Sequence, residues 1–234
     1  MKNVTRRSAL GLFAAAGGAT LLAACGSQSQ ASSGSASASG SASTPDAEVN
    51  NARADYSGPA VLDGYTSKPA DYQLATRTEP AKNVPVPTKP AVANENSVEG
   101  LYQSIAFFGA AMEYYMRTGK TEPLRESAMD KSELKSMLEP EELVKGEVWM
   151  HDPTVTITLL SAQPTRDGKA YTWNARFTLT RGEFMASKDK VLEVPESGRE
   201  NVNERTLRGV YENGAWKLTG MKSESEASAS ASAS

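Results

Sequence analysis

The residue with the plainest chemistry in this chain is a cysteine. Leu22-Ala23-Ala24-Cys25 closes an apolar run that starts near Ala9. A hydrophobic segment, two small residues and a cysteine form the pattern of a lipoprotein cleavage site. The chain would be cut before the cysteine, whose thiol takes up a diacylglycerol. Cys25 is the only cysteine, so once acylated it leaves no thiol for a disulfide, a zinc cluster or a nucleophile. Upstream, Thr5-Arg6-Arg7-Ser8-Ala9-Leu10 resembles a twin-arginine export signal. Ala9 stands where that signal usually has phenylalanine, so the general secretory route stays open, with Arg6 and Arg7 as an ordinary basic n-region.

The other reactive residue types do not assemble. His151 is the only histidine, which excludes a multi-histidine metal site within one chain. A Ser-His-Asp triad needs only one, but no Gly-x-Ser-x-Gly elbow supplies its serine. Beside Asp152-Pro153, His151 reads as a solvent-facing loop residue at a strand end. Glu139, Glu141 and Glu142 surround Pro140 and read as a solvated loop, because a cation site wants convergent oxygens and usually a glycine turn. Thr118-Gly119-Lys120-Thr121 ends like a phosphate-binding loop. It has Tyr114 where that motif needs its first glycine and it follows a helix, so it reads as a helix stop. No motif asks for a metal or a cofactor, and no catalytic set is expected. Tyr115, Trp149, His151 and Trp173 are candidates to line a pocket. The aromatics among them equally suit a core packed on Phe108 and Met112. An isolated acid facing that interior would point to isomerase-type chemistry, but parity places neither Glu113 nor a strand carboxylate there.

The elements that must position these residues begin with a helix over 97–117. Val98, Leu101, Ile105, Phe108, Met112 and Tyr115 recur at three- and four-residue steps, Ser97 can cap the start and Gly119 closes the end. Thr121-Glu122-Pro123-Leu124 starts a short helical turn, and Asp130-Lys131-Ser132-Glu133 has capping-box spacing ahead of a helix ending near Leu138. Beyond Pro140 the period changes to two. Val155, Ile157 and Leu159 form one strand. Tyr171, Trp173, Ala175, Phe177 and Leu179 share a face of a second, with Asp167-Gly168 as the turn between them and a bend at Gly182. A shorter strand covers Val191 to Val194. Asn213-Gly214 predicts a type I′ hairpin pairing Glu212 with Ala215, Tyr211 with Trp216 and Gly209 with Leu218.

Composition sets the boundaries. Ser27 to Ser43 is wholly Ser, Ala, Gly and Gln, and the segment from Asp46 to about Val92 is rich in Pro, Ala, Thr and charge. The expected organisation is a signal peptide over 1–24, a lipid-anchored disordered and Pro-rich tether over 25–93, one α+β domain over 94–222, and a disordered tail over 223–234. The expected fold is α+β, with N-terminal helices packed on a curved, cone-like antiparallel sheet. The chain has 25 Lys+Arg against 28 Asp+Glu. Removing residues 1–24 takes away three cations and no acid, moving the balance from −3 to −6. That argues against nucleic acid, which wants a basic stripe.

The order of elements resembles the cone-shaped superfamily of nuclear transport factor two and the ketosteroid isomerases. A closer similarity is to an uncharacterised family of actinobacterial lipoproteins, a domain of unknown function. It is carried by Pro87-Thr88-Lys89-Pro90, Glu99-Gly100, the run from Tyr114 to Leu124 that contains Thr118-Gly119-Lys120-Thr121-Glu122-Pro123, and Tyr211-Glu212-Asn213-Gly214-Ala215-Trp216-Lys217. The similarity spans about Pro85 to Met221. Members often have a cysteine pair after that run; here residues 127–134 contain none. The resemblance implies the fold and the compartment and no activity. Together these readings describe a protein on the extracytoplasmic face of the membrane, held by lipid on Cys25. Its domain acts as a non-catalytic binding or interaction module for an unknown envelope protein. The alternative is a small-ligand carrier, or a vestigial enzyme, using a pocket between the first helix and the sheet. The aromatics are large enough to fill the core, so only a shallow pocket near Trp149 and His151 is expected.

Overall fold

The computed structural model describes residues 53–67, 71–138 and 148–220. The signal peptide, Arg6, Arg7, Cys25, the Glu139–Glu142 cluster and the tail at 223–234 lie outside the described residues.

Helix α1, Val98–Thr118, is the axis of the domain. Ser97 Oγ accepts from the Gly100 N–H at 2.9 Å, satisfying one of the free donors of the first turn. Gly119 closes the other end at φ 72°, a left-handed conformation that suits glycine, and its N–H donates to Tyr115 O. The predicted apolar face is buried throughout, but so are Tyr102, Ala106, Phe107 and Tyr114 on another face. A helix apolar on more than one side must be covered on more than one side.

One cover is an antiparallel sheet. Its strands are β1 (Gly58–Pro59), β5 (Thr154–Leu159), β7 (Ala170–Thr180), β10 (Glu200–Glu212) and β11 (Ala215–Thr219), in that spatial order, with β6 (Thr165–Asp167) paired beside β7. Registers such as Ile157↔Phe177 and Leu207↔Trp173 bring alternate apolar residues toward α1. The hairpin turn has Asn213 at φ 54° and Gly214 at φ 81°, and its pairs are Glu212↔Ala215, Tyr211↔Trp216 and Gly209↔Leu218. Leu101 of α1 sits over Gly209, where a Cβ would come within 2.6 Å of its Cδ1. The Trp216 indole N–H donates to Glu95 O at 2.8 Å and ties the hairpin to the start of the helix.

The second cover is the segment before α1. Tyr56 is 2 % exposed, with its ring 5.3 Å from Tyr102 and 5.8 Å from Trp173. The Val61 N–H donates to the Tyr102 hydroxyl at 3.0 Å, and Leu62 packs with Ala106 and Phe107. Strands β2 (Tyr65–Ser67) and β3 (Val86–Pro87) pair with each other. Farther along, Ala75 and Ala81 join Trp149, Phe184 and Ala186 in a separate small core. This core sits at the three-stranded sheet of β4 (Trp149–Met150), β8 (Phe184–Ala186) and β9 (Val191–Glu193). Two short helices complete the fold, α2 (Glu122–Glu126) and α3 (Lys131–Leu138). Asp130 Oδ1 accepts from the Ser132 N–H, and the Asp130 N–H donates to Leu218 O at 2.8 Å. Glu133 reaches toward the sheet, and its Oε1 accepts from the Gly220 N–H at 2.9 Å.

One expectation is corrected. The fold is not α+β with N-terminal helices packed on a cone-like sheet. Among the described residues strand accounts for 35 % and helix for 27 %, and the architecture is mainly antiparallel β. Only α1 is long, and strands β1 to β3 precede it, so no helical layer forms. Within the stretch ahead of α1, Tyr56 and Leu62 pack with residues of α1, and Ala75 and Ala81 pack in the separate small core.

Candidate functional site

Two hollows lie along α1, one on each covered side. The first opens between α1 and the main sheet and has a volume of about 350 Å3. Met112, Tyr115 and Met116 form its helix wall, Met137 of α3 and Met150 of β4 add two more thioethers, and Val155, Phe177 and Leu179 come from the strands. Thr178, Arg181, Asn201 and Asn203 are its polar members. The helix positions are one turn apart and therefore share a face. Met116, Met137 and Met150 are only partly buried, so the thioethers remain available to a ligand. Burial pushes the Tyr115 hydroxyl above its ordinary pKa, so it stays protonated.

The second hollow, about 530 Å3, lies between α1 and the segment that crosses it. Small residues make the space: Ala106, Gly109 and Ala110 face Pro59, Leu62 and Tyr65. One end is polar. Arg117 Nη2 lies 3.1 Å from Glu113 Oε1, and Nη1 donates to Asp152 Oδ1 at 3.1 Å and to the Tyr72 hydroxyl. Glu113 Oε2 accepts from the Val155 N–H at 3.1 Å. Burial alone would lower the Arg117 pKa; Glu113, Tyr72 and Asp152 outweigh it and hold the guanidinium above its usual value. Each charge here is already paired. Glu113, the acid that parity could not place, faces this cleft with both oxygens engaged, so it is not the isolated acid that an isomerase-type site requires.

Of the pocket candidates, Tyr115 lines the first hollow, and Trp149, His151 and Trp173 line neither. Trp173 is core, 1 % exposed, with its indole N–H on Ser161 O at 3.0 Å. Trp149 is 3 % exposed and donates to Thr76 O at 2.8 Å. His151 is not a solvent-facing loop residue. It is half-buried, stacks on Phe184 at 4.9 Å and accepts from the Glu183 N–H through Nδ1 at 3.3 Å. Gly182 is required beside it, since a Cβ there would lie 2.2 Å from His151 O.

Sequence reasoning missed Arg117, Arg181 and the methionines. Helical spacing offered a hint, since Met112 and Met116, like Glu113 and Arg117, stand four apart on α1. Among the described residues no group of three His, Cys, Asp or Glu could hold a metal ion. No described helix is long and apolar enough to cross a membrane.

No curated protein and no solved structure matches this chain. A family model does, over residues 70–222, which takes in α1 and all of the main sheet except β1. The chain belongs to DUF6318, a family of unknown function.

Proposed function

We propose that this chain is a lipid-anchored extracytoplasmic protein of an actinobacterial lipoprotein family, exported under direction of Arg6 and Arg7 and held to the membrane by acylated Cys25. Its domain binds a small ligand between α1 and the main sheet and does no chemistry on it. The observation that carries this reading is the first hollow. It is apolar, lined by four methionines, and within the roughly 300–1,000 Å3 range of small-molecule sites. Methionine walls are adaptable and polarisable, which suits them to apolar ligands of variable shape. A non-catalytic role is supported by the second cleft, where Glu113, Arg117 and Asp152 spend their charges on one another.

The test is mass spectrometry of what the protein carries when purified from its host without detergent. Wild type is expected to hold a small molecule near one equivalent, and Met116→Trp, which fills the hollow, to lose it. An equal load on both, or no binding in a metabolite screen by thermal shift, contradicts the reading. A protein partner is the second reading, favoured by Val191 and Leu192, 38 % and 50 % exposed on β9, the outer strand of the three-stranded sheet. Pull-down from envelope extract that is lost in Leu192→Lys and kept in Met116→Trp would support it.

A further inference from the structure

We infer that the methionine-lined hollow takes an amphiphile with an anionic head, a medium-chain carboxylate, its chain among the thioethers and its head on Arg181. The inference rests on the binding role proposed above and adds the ligand class. Arg181 follows the end of β7, where its backbone N–H donates to Arg199 O at 2.7 Å and fixes its position. Its Nη1 reaches Gly198 O at 3.3 Å, while its Nε is buried without an acceptor. No carboxylate among the described residues pairs with this guanidinium. Among the described arginines, Arg181 is the one with a buried guanidinium nitrogen that has no hydrogen-bond partner.

A half-buried cation against apolar walls is costly without a counter-charge. Arginine offers planar donors that suit a carboxylate and remains charged at any physiological pH. Asn203 Nδ2 donates to Asn201 Oδ1, which leaves the Asn201 amide N–H groups to add to the head site. A volume of about 350 Å3 lies near the lower end of the ~300–1,000 Å3 range of such sites, which favours a medium over a long chain. The occupant therefore needs one negative end, a short apolar body and no second charge.

The test compares decanoate with 1-decanol by titration calorimetry on the full chain carrying Cys25→Ser, which keeps detergent out. Decanoate is expected to bind at least tenfold more tightly than decanol. Arg181→Met should remove that advantage while changing decanol affinity less than twofold, and Arg181→Lys should restore part of it. Equal affinities in wild type, or a loss in Arg181→Met shared by both compounds, overturn the head-group assignment and leave the pocket standing. Binding of neither compound overturns the pocket as well. If Arg181→Met does not fold, the wild-type comparison and Arg181→Lys decide the question.

Discussion

Replacing Tyr56 with alanine tests whether the segment before α1 belongs to the fold. Tyr56 is 2 % exposed and meets Tyr102 and Trp173, so truncation removes apolar contacts at a junction of segment, helix and sheet. Transfer of a buried aromatic ring contributes about 2–3 kcal/mol, and the cavity left behind raises large-to-alanine losses to about 3–5 kcal/mol. The ring pairs, about 0.5–1.5 kcal/mol each, fall within that range. The Tyr56 hydroxyl accepts from the Arg53 N–H at 3.2 Å and also interacts with the Glu99 carboxylate, so Tyr56→Phe should cost about 0.5–1.5 kcal/mol, well short of the alanine loss. Urea unfolding followed by tryptophan fluorescence reads both, with Trp173 as a neighbouring reporter. A Tyr56→Ala loss below about 0.5 kcal/mol would refute the docked segment.

Three further outcomes are expected. The Asp130 carboxyl is held well below the usual range by Ser132 and then by Lys217, so its ionised form stabilises the fold above the unfolded pKa of about 3.9. That contribution is lost as pH falls below about 4 toward the folded value. Asp130→Asn should therefore cost about 0.5–1.5 kcal/mol at pH 7, with the gap from wild type closing below pH 4 in melts across pH. Gly100→Ala should cost more than about 2 kcal/mol in urea titration, because its Cβ would lie 2.3 Å from Glu95 O and 2.8 Å from Val92 O, backbone atoms that cannot swing aside. Cys25→Ser should move the protein out of the membrane fraction or leave it at precursor size, and mature-sized protein still in membranes on an immunoblot would contradict acylation.

Local signals were legible and assembled ones were not. The ends of α1 and the Asn213-Gly214 hairpin follow from residues within a few positions of each other, since a serine cap and two positive φ angles need no distant partner. The period-two faces of β5 and β7 were equally readable. The packed segment is hidden because its burial depends on Tyr56, Leu62 and a few small residues, Ala75, Ala81 and Ala93, in a stretch whose prolines look like a linker. Strands β1 to β3 fall in that stretch and have too few residues to show a period of two, so a reading from periodicity puts the helices first. The methionine hollow was illegible for a similar reason, since Met116, Met137, Met150, Phe177 and Arg181 come from separate elements that only the fold brings together.

If the hollow beside α1 is a ligand site, the methionine methyl groups in its walls will report the ligand's arrival. With 13C-methyl-methionine label and decanoate titrated in, the account predicts that the Met112, Met116, Met137 and Met150 resonances move together along one binding curve. Met129, buried in the core at 3 % exposure and outside the hollow, should hold still. Movement of Met129 with the rest, or no movement of the four at decanoate concentrations that saturate calorimetric binding, would place the ligand elsewhere and contradict the account.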